Sequence, residues 1–391
     1  MLYRRFGRTE IQMPVLSCGG MRYQRSWQDI KPEDLDAENQ KNVKETIDRS
    51  LDLGINHIET ARGYGSSEYQ LGRFLKDYKR DEITVQTKVG PQDSPEKFLE
   101  VFETSMNNLQ LDYLDLFAFH GVNTDGILDK CLDRNMEAAL KLKEQGRIRN
   151  IGFSTHGMES TITKACETGQ FDYVNVHWYY FDQMNLPSID AAAKNDMGVF
   201  IISPSDKGGM LYEAPPKLID LCKPFSPIGF NGLFCLANEN VHTLSIGASR
   251  PSDFNDLYHI VDQVPNAKEL VAPVISRLDD EFENVLGKDW VGNWRTNLPE
   301  CYEIPGEINV YQILRLLGMY ETFGFEKFAK WRYNMMNNAS DWFPGHSVDK
   351  IDWESLEKAL ADSPVKSDIP AKLKKAHELL AGEAMARLSQ S

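Results

Sequence analysis

The sequence predicts a closed parallel (β/α)8 barrel followed by an all-helical unit. Three observations lead there. Between Val15 and about residue 263, eight short apolar runs alternate with stretches that carry apolar residues at helical spacing. The runs are nearly continuous in apolar character, as strands buried on both faces are. No Gly-x-Gly-x-x-Gly follows the first run, which disfavours a doubly wound open sheet as the competing arrangement.

The elements follow in order. Residues 3–14 alternate around Gly7-Arg8-Thr9 and read as a β-hairpin ahead of the barrel. Val15–Cys18 is the first barrel strand, ended by Gly19-Gly20, and helix 41–53 follows a polar loop. Strand 55–59 leads to helix 67–78. Strand 83–87 leads to helix 95–109, with Ser94 as N-cap and Pro95 in the first turn. Strands 113–119, 148–153 and 173–177 precede helices 135–145, 158–168 and 187–196. Strand 199–203 runs into a Gly/Pro-rich segment and helix 229–238, and strand 242–246 precedes helix 252–263. The domain reading is therefore a barrel over 1–265 and a helical domain over 266–391, with helices at 267–285, 308–321, 352–361 and about 370–388. The barrel belongs to the TIM-barrel class, in which active sites lie at the carboxyl ends of the strands.

Composition narrows the function. With 43 Lys and Arg against 58 Asp and Glu, the net charge is -15, which argues against non-specific binding to nucleic acid or anionic membranes. The six cysteines are scattered with no CxxC pair, so spacing suggests no zinc or iron–sulfur site and suits a reducing cytosol. The first residues lack an apolar core of signal-peptide length, and no run reaches the length of a membrane span. The expectation is a cytoplasmic protein acting on a small molecule, with its oligomeric state left open.

The stretch GINHIETARGYGSSEYQLG, from Gly54 to Gly72, organises the chemistry. Glu59 ends a strand and Tyr64 sits on the Gly-rich turn behind it. Lys88 ends the next strand and His120 the one after. Ionisable residues at adjacent strand ends converge on one barrel mouth. A Tyr beside an ammonium, a carboxylate and an imidazole makes a proton-donating site. The ammonium favours tyrosinate and brings the Tyr toward working pH. Taken singly, a solvated Lys or a satisfied core His is as reasonable a reading; the four together carry the argument.

These motifs resemble the aldo/keto reductase family over about residues 1–263. GINHIETARGYGSSEYQLG is similar to its first signature, TKVG to its catalytic-lysine segment, FAFHG to its catalytic-histidine strand, and RIRNIGFST to the strand that binds nicotinamide. The resemblance implies a nicotinamide cofactor, normally NADPH (NADP+), extended across the mouth without a Rossmann domain. It implies reduction of a small aldehyde or ketone, with Tyr64 as proton donor, Lys88 and Glu59 assisting, and His120 orienting the carbonyl. Cofactor contacts are expected at Gly20, Met21, Ser154, Thr155, Asn175, Ser203, Gly208, Gly247, Ser249 and Arg250, the last two suited to a 2′-phosphate. Four departures stand out: Glu59 replaces the family's Asp, Thr155 its Asn, Asn175 its Gln, and Ile202-Ser203 an aromatic residue. Trp27 and the run Trp178-Tyr179-Tyr180-Phe181 are candidate substrate-pocket lining, with core packing at least as common a role for aromatics after a strand.

The tail segment EIPGEINVYQILRLLGMYETFG resembles the linker helix of a subgroup with a ferredoxin-like extension. Only Cys301 remains of a cluster's ligands, so a helical cap docked on the barrel without metal is expected. A second function remains in view: a nicotinamide-binding sensor with weak turnover, acting on a partner through that tail.

Overall fold

The computed structural model describes residues 1–206, 209–338 and 340–385. Strands β1 (Tyr3–Arg5) and β2 (Gln12–Pro14) pair antiparallel, Arg4 opposite Met13, around a 3-10 turn at Gly7–Thr9. Eight parallel strands then close a barrel: β3 (Leu16–Gly19), β4 (His57–Glu59), β5 (Thr84–Val89), β6 (Leu114–His120), β7 (Ile148–Ser154), β8 (Tyr173–Val176), β9 (Gly198–Ile201) and β10 (Thr243–Ile246). Neighbours in space are neighbours in sequence, and β10 closes the ring on β3, Ser245 opposite Ser17. The architecture is the expected (β/α)8 barrel with an N-terminal hairpin and a helical C-terminal region.

The hairpin plugs the lower end. Phe6 and Met13 join Leu116, Ala118, Tyr173 and Phe200 in one buried cluster. Two barrel glycines make room for these rings. A Cβ on Gly198 would lie 2.6 Å from the Phe6 ring, and one on Gly152 would lie 2.5 Å from Tyr173. With that end filled, the opposite mouth is the face where chemistry can sit.

Helices α1 (Ala37–Asp52), α2 (Ser67–Gly72) and α3 (Pro95–Leu109) follow the first strands. Ser94 caps α3 as its sequence requires, its Oγ accepting from Lys97 N at 3.2 Å. The helix expected over 67–78 stops at Gly72 and resumes as a 3-10 turn at Leu75–Asp77. The helix expected over 135–145 is preceded by α4 (Asp125–Lys130) and a kink at Asp133, whose backbone is non-helical (ψ -144°), and continues as α5 (Met136–Glu144). Then come α6 (Glu159–Glu167), α7 (Leu186–Lys194), α8 (Pro216–Cys222), α9 (Pro227–Ala237) and α10 (Asn255–Tyr258).

The chain divides into two compact units. Residues 1–206 with Asn231–Ala267 form the first; residues 209–230 with 268–338 and 340–385 form the second. Segment 209–230 thus belongs with the C-terminal residues although it lies within the stretch that the sequence pattern assigns to the barrel. Arg277 Nε donates to Leu221 O at 3.0 Å, and Lys217 pairs with Glu281 at 2.5 Å. The second unit holds α11 (Ala267–Leu286), α12 (Lys288–Asn293), α13 (Val310–Phe323), α14 (Glu326–Met335), α15 (Trp353–Ala359) and α16 (Ile369–Leu380). Two of these, α12 and α14, were not anticipated. α14 reads EKFAKWRYNM, with Arg332 buried against the Phe343 ring at 3.7 Å, so its buried face is not written in aliphatic residues.

Candidate active site

Side chains alternate between the two faces of a strand, so the last inward-facing residues of neighbouring strands meet at one rim. On β4 that residue is Glu59, on β5 Lys88 and on β6 His120. Glu59 is 3% exposed and Lys88 1%. A strand-end lysine reaching for solvent is thereby excluded. Lys88 Nζ contacts Glu59 Oε1 and donates to Thr60 O at 2.8 Å. Burial pulls the Lys88 ammonium well below its usual pKa, while the carboxylate against it favours the charged pair.

Tyr64 comes from the turn after β4. Its hydroxyl donates to Glu59 Oε1 at 3.4 Å, its ring lies 4.8 Å from Lys88 Nζ, and it stands edge-on to His120 with centroids 5.7 Å apart at 84°. The four predicted residues converge. A carboxylate oxygen reaches the phenol hydroxyl, a contact that the sequence did not lead us to expect.

The turn is held tightly. Gly65 has φ +56°, and a Cβ there would lie 2.0 Å from Ser26 O. Ser66 N donates to Ser26 O at 2.9 Å. Glu68 is buried and accepts from Thr87 Oγ1 at 2.6 Å, with Arg62 Nη1 3.9 Å away. Burial raises the Glu68 pKa, opposed first by the Thr87 bond and then by Arg62. Thr87 precedes Lys88, so this network ties the Tyr64 turn to the strand that carries the lysine.

Beneath the rim, His57 is fully buried and its Nδ1 meets Ser17 Oγ at 2.7 Å. Burial, and secondarily the Lys88 charge, push its pKa down to about 3. It is a neutral core histidine.

The residues expected to hold a cofactor fall into distinct situations. Ser154 lies opposite both His120 and Asn175 in the barrel register. Both amide atoms of Asn175 are buried without a hydrogen-bond partner. A buried amide left unsatisfied is costly, and a carboxamide of matching donor and acceptor would relieve it. The residues therefore fit a nicotinamide. Thr155 is committed elsewhere: its hydroxyl donates to Val122 O at 2.7 Å and accepts from Gly157 N at 2.9 Å. Gly20 is packed close, a Cβ there lying 2.5 Å from Glu59 O, and the Met21 carbonyl accepts from Gln24 Nε2 at 3.2 Å. Ser203 takes φ +54°, an uncommon left-handed conformation for a residue with a side chain. Gly208 lies outside the described residues. Gly247 is exposed, with Arg22 Cδ 3.1 Å from where its Cβ would be. Ser249 N and Arg250 Nε both donate to Asp253, at 2.8 and 3.1 Å.

Two histidines were not singled out from the sequence: His156 and His177 stand two positions beyond Ser154 and Asn175, just past the ends of β7 and β8. His177 Nε2 meets His156 Nδ1 at 3.3 Å, and His177 Nδ1 meets Tyr179 Oη at 2.5 Å. The aromatic run 178–181 is buried, and Trp178 stacks on Phe234 at 4.8 Å. Among the described residues no cluster of His, Cys, Asp and Glu is arranged to hold a metal ion, and no helix is long and apolar enough to cross a membrane.

Comparison with known proteins gives the same picture. L-galactose dehydrogenase of Arabidopsis thaliana is 28% identical over 185 residues, covering 44% of this chain and 58% of that protein. The NADH-specific methylglyoxal reductase of Escherichia coli (strain K12) is 26% identical, covering 42% and 56%. The chain thus spans little more than half the length of these relatives. The crystal structure of an aldo-keto reductase from Klebsiella pneumoniae in complex with NADPH superposes with a TM-score of 0.55 at 16% identity, over 69% of this chain and 95% of that one, which is a likeness of fold. The model of the Aldo/keto reductase family matches residues 15–221, more than half of the sequence, and with the closed barrel this makes the chain a member of that family.

Proposed function

We propose that this protein reduces the carbonyl group of a small aldehyde or ketone to an alcohol, using a reduced nicotinamide dinucleotide. The observation that carries the reading is the convergence of Glu59, Lys88, Tyr64 and His120 at adjacent strand ends, with the unpaired Asn175 amide two strands along from His120. When bound, the cofactor supplies a hydride to the carbonyl carbon. Ser154 and Asn175 would hold its carboxamide, and Ser203, Gly247, Ser249 and Arg250 its phosphate and adenosine end. Tyr64 gives its proton to the carbonyl oxygen. Lys88 balances the negative charge left on Tyr64, and His120 orients the carbonyl by hydrogen bonding to its oxygen. The relative named a methylglyoxal reductase makes small aldehydes the first substrates to try.

NADPH use rests on Ser249 and Arg250, and the Asp253 carboxylate that holds both weakens a 2′-phosphate's claim on them. The test is turnover of an aldehyde, ketone and quinone panel with NADPH and with NADH. Tyr64→Phe should lower reduction by roughly 10²–10⁴-fold while fluorescence titration shows cofactor binding retained. Unchanged turnover in that variant would sink the assignment of Tyr64. Tight cofactor binding with no turnover on any substrate would favour the sensor reading.

A further inference from the structure

The Glu59 carboxylate meets two partners through one oxygen. Oε1 is in contact with Lys88 Nζ and lies 3.4 Å from the Tyr64 hydroxyl. A glutamate reaches about 1.5 Å further than an aspartate at the same backbone position. The fold leaves room for that reach. Oε2 points toward Gly19 and lies 3.3 Å from where a Cβ on that residue would be, so a glycine at the end of β3 admits the longer acid.

Resting on the reading of Tyr64 as proton donor, we propose that Glu59 is a positioning residue bonded directly to the Tyr64 hydroxyl, holding that phenol in its protonated form and biasing the site toward carbonyl reduction over alcohol oxidation. Ionisable groups that face Tyr64 include Glu59 at the hydroxyl, Lys88 over the ring and His120 at the ring edge. Lys88, and His120 when charged, favour tyrosinate. The carboxylate opposes it, because two anions would then share one buried rim. Reduction starts from the phenol, which gives its proton to the carbonyl oxygen. Oxidation starts from tyrosinate, which takes the alcohol's proton. A partner that stabilises the phenol leaves the first direction ready at neutral pH and moves the second to higher pH.

The experiment is an ultraviolet difference titration of tyrosinate on the full chain. Subtracting the Tyr64→Phe variant isolates this residue from the other tyrosines. In Glu59→Asp the acid and its charge remain but the reach is lost. Tyr64 should then release its proton about tenfold more readily, and the pH profile of alcohol oxidation should move down with it. Glu59→Gln serves should the Asp variant not fold. It removes the charge at full length and should move the titration in the same direction. A Tyr64 titration that stays at its wild-type position in whichever variant folds overturns the inference. The two readings separate cleanly. Carbonyl reduction that survives Tyr64→Phe removes both, whereas reduction lost in Tyr64→Phe with an unmoved titration in Glu59→Asp removes this inference alone.

Discussion

His57 carries the clearest pH signature among the single residues. Folded, it holds its proton only below about 3, because burial and then the Lys88 charge disfavour the imidazolium. Unfolded, it takes up a proton below its ordinary value of 6.5. The unfolded chain therefore binds more protons between these values, and stability falls as pH drops through that window. At pH 5 the loss from this one residue is about 2 kcal/mol. Replacement by Gln should flatten the dependence of urea-unfolding stability between pH 7 and 5, and an unchanged slope would show that His57 is not the group responsible. The residue was legible only as part of an apolar strand. Its position between Ser17 and Phe200 comes from strands far apart in the chain.

The ends of β3 and β10 carry predictions of a different kind, since each depends on how an element stops. A Cβ on Gly19 would lie 2.5 Å from Ser245 Oγ, 3.1 Å from Ile246 O and 3.3 Å from Glu59 Oε2. Gly19→Ala should destabilise the barrel by about 1–3 kcal/mol through overpacking, measured by denaturant unfolding. After β10, the Asp253 carboxylate holds Ser249 N and Arg250 Nε together. Asp253→Ala should tighten NADPH more than NADH, because a cation and an N–H are released for a 2′-phosphate while an anion is removed from its approach. Arg250→Ala should weaken NADPH and barely affect NADH. Titration of both cofactors against both variants checks the pair, and equal effects on the two cofactors would assign the segment a structural role. The strands, their order and the α3 cap were readable from local pattern. The break of α2 after Gly72 was not. At that glycine a Cβ would sit 1.9 Å from the backbone carbonyl oxygen of Asn108, so α2 and α3 meet backbone to backbone, a constraint written in neither segment alone.

For the molecule as a whole, the six cysteines bear on the expected metal-free tail. All six are buried, and burial raises the Cys301 thiol to about 12. A [4Fe–4S] cluster requires about four thiolates together, so the purified chain should contain no stoichiometric iron and show no visible absorbance from a cluster. Native protein should likewise react slowly with a thiol reagent and expose its thiols on unfolding. The sequence by itself determined the alternation of eight strands and helices and the gathering of Glu59, Lys88 and His120 at the strand ends. Those properties follow from short apolar runs and from helical spacing of apolar residues, which are local. Only the tertiary structure decided that β10 closes on β3, that residues 209–230 group with the C-terminal helices, that the Tyr64 hydroxyl meets a carboxylate oxygen, and that His156 and His177 touch. Most of these join residues remote in sequence, and the Tyr64–Glu59 contact, five residues apart, depends on the path of the turn between them. Such distances depend on strand register, on side-chain length and on where a glycine leaves space, none of which a local pattern contains.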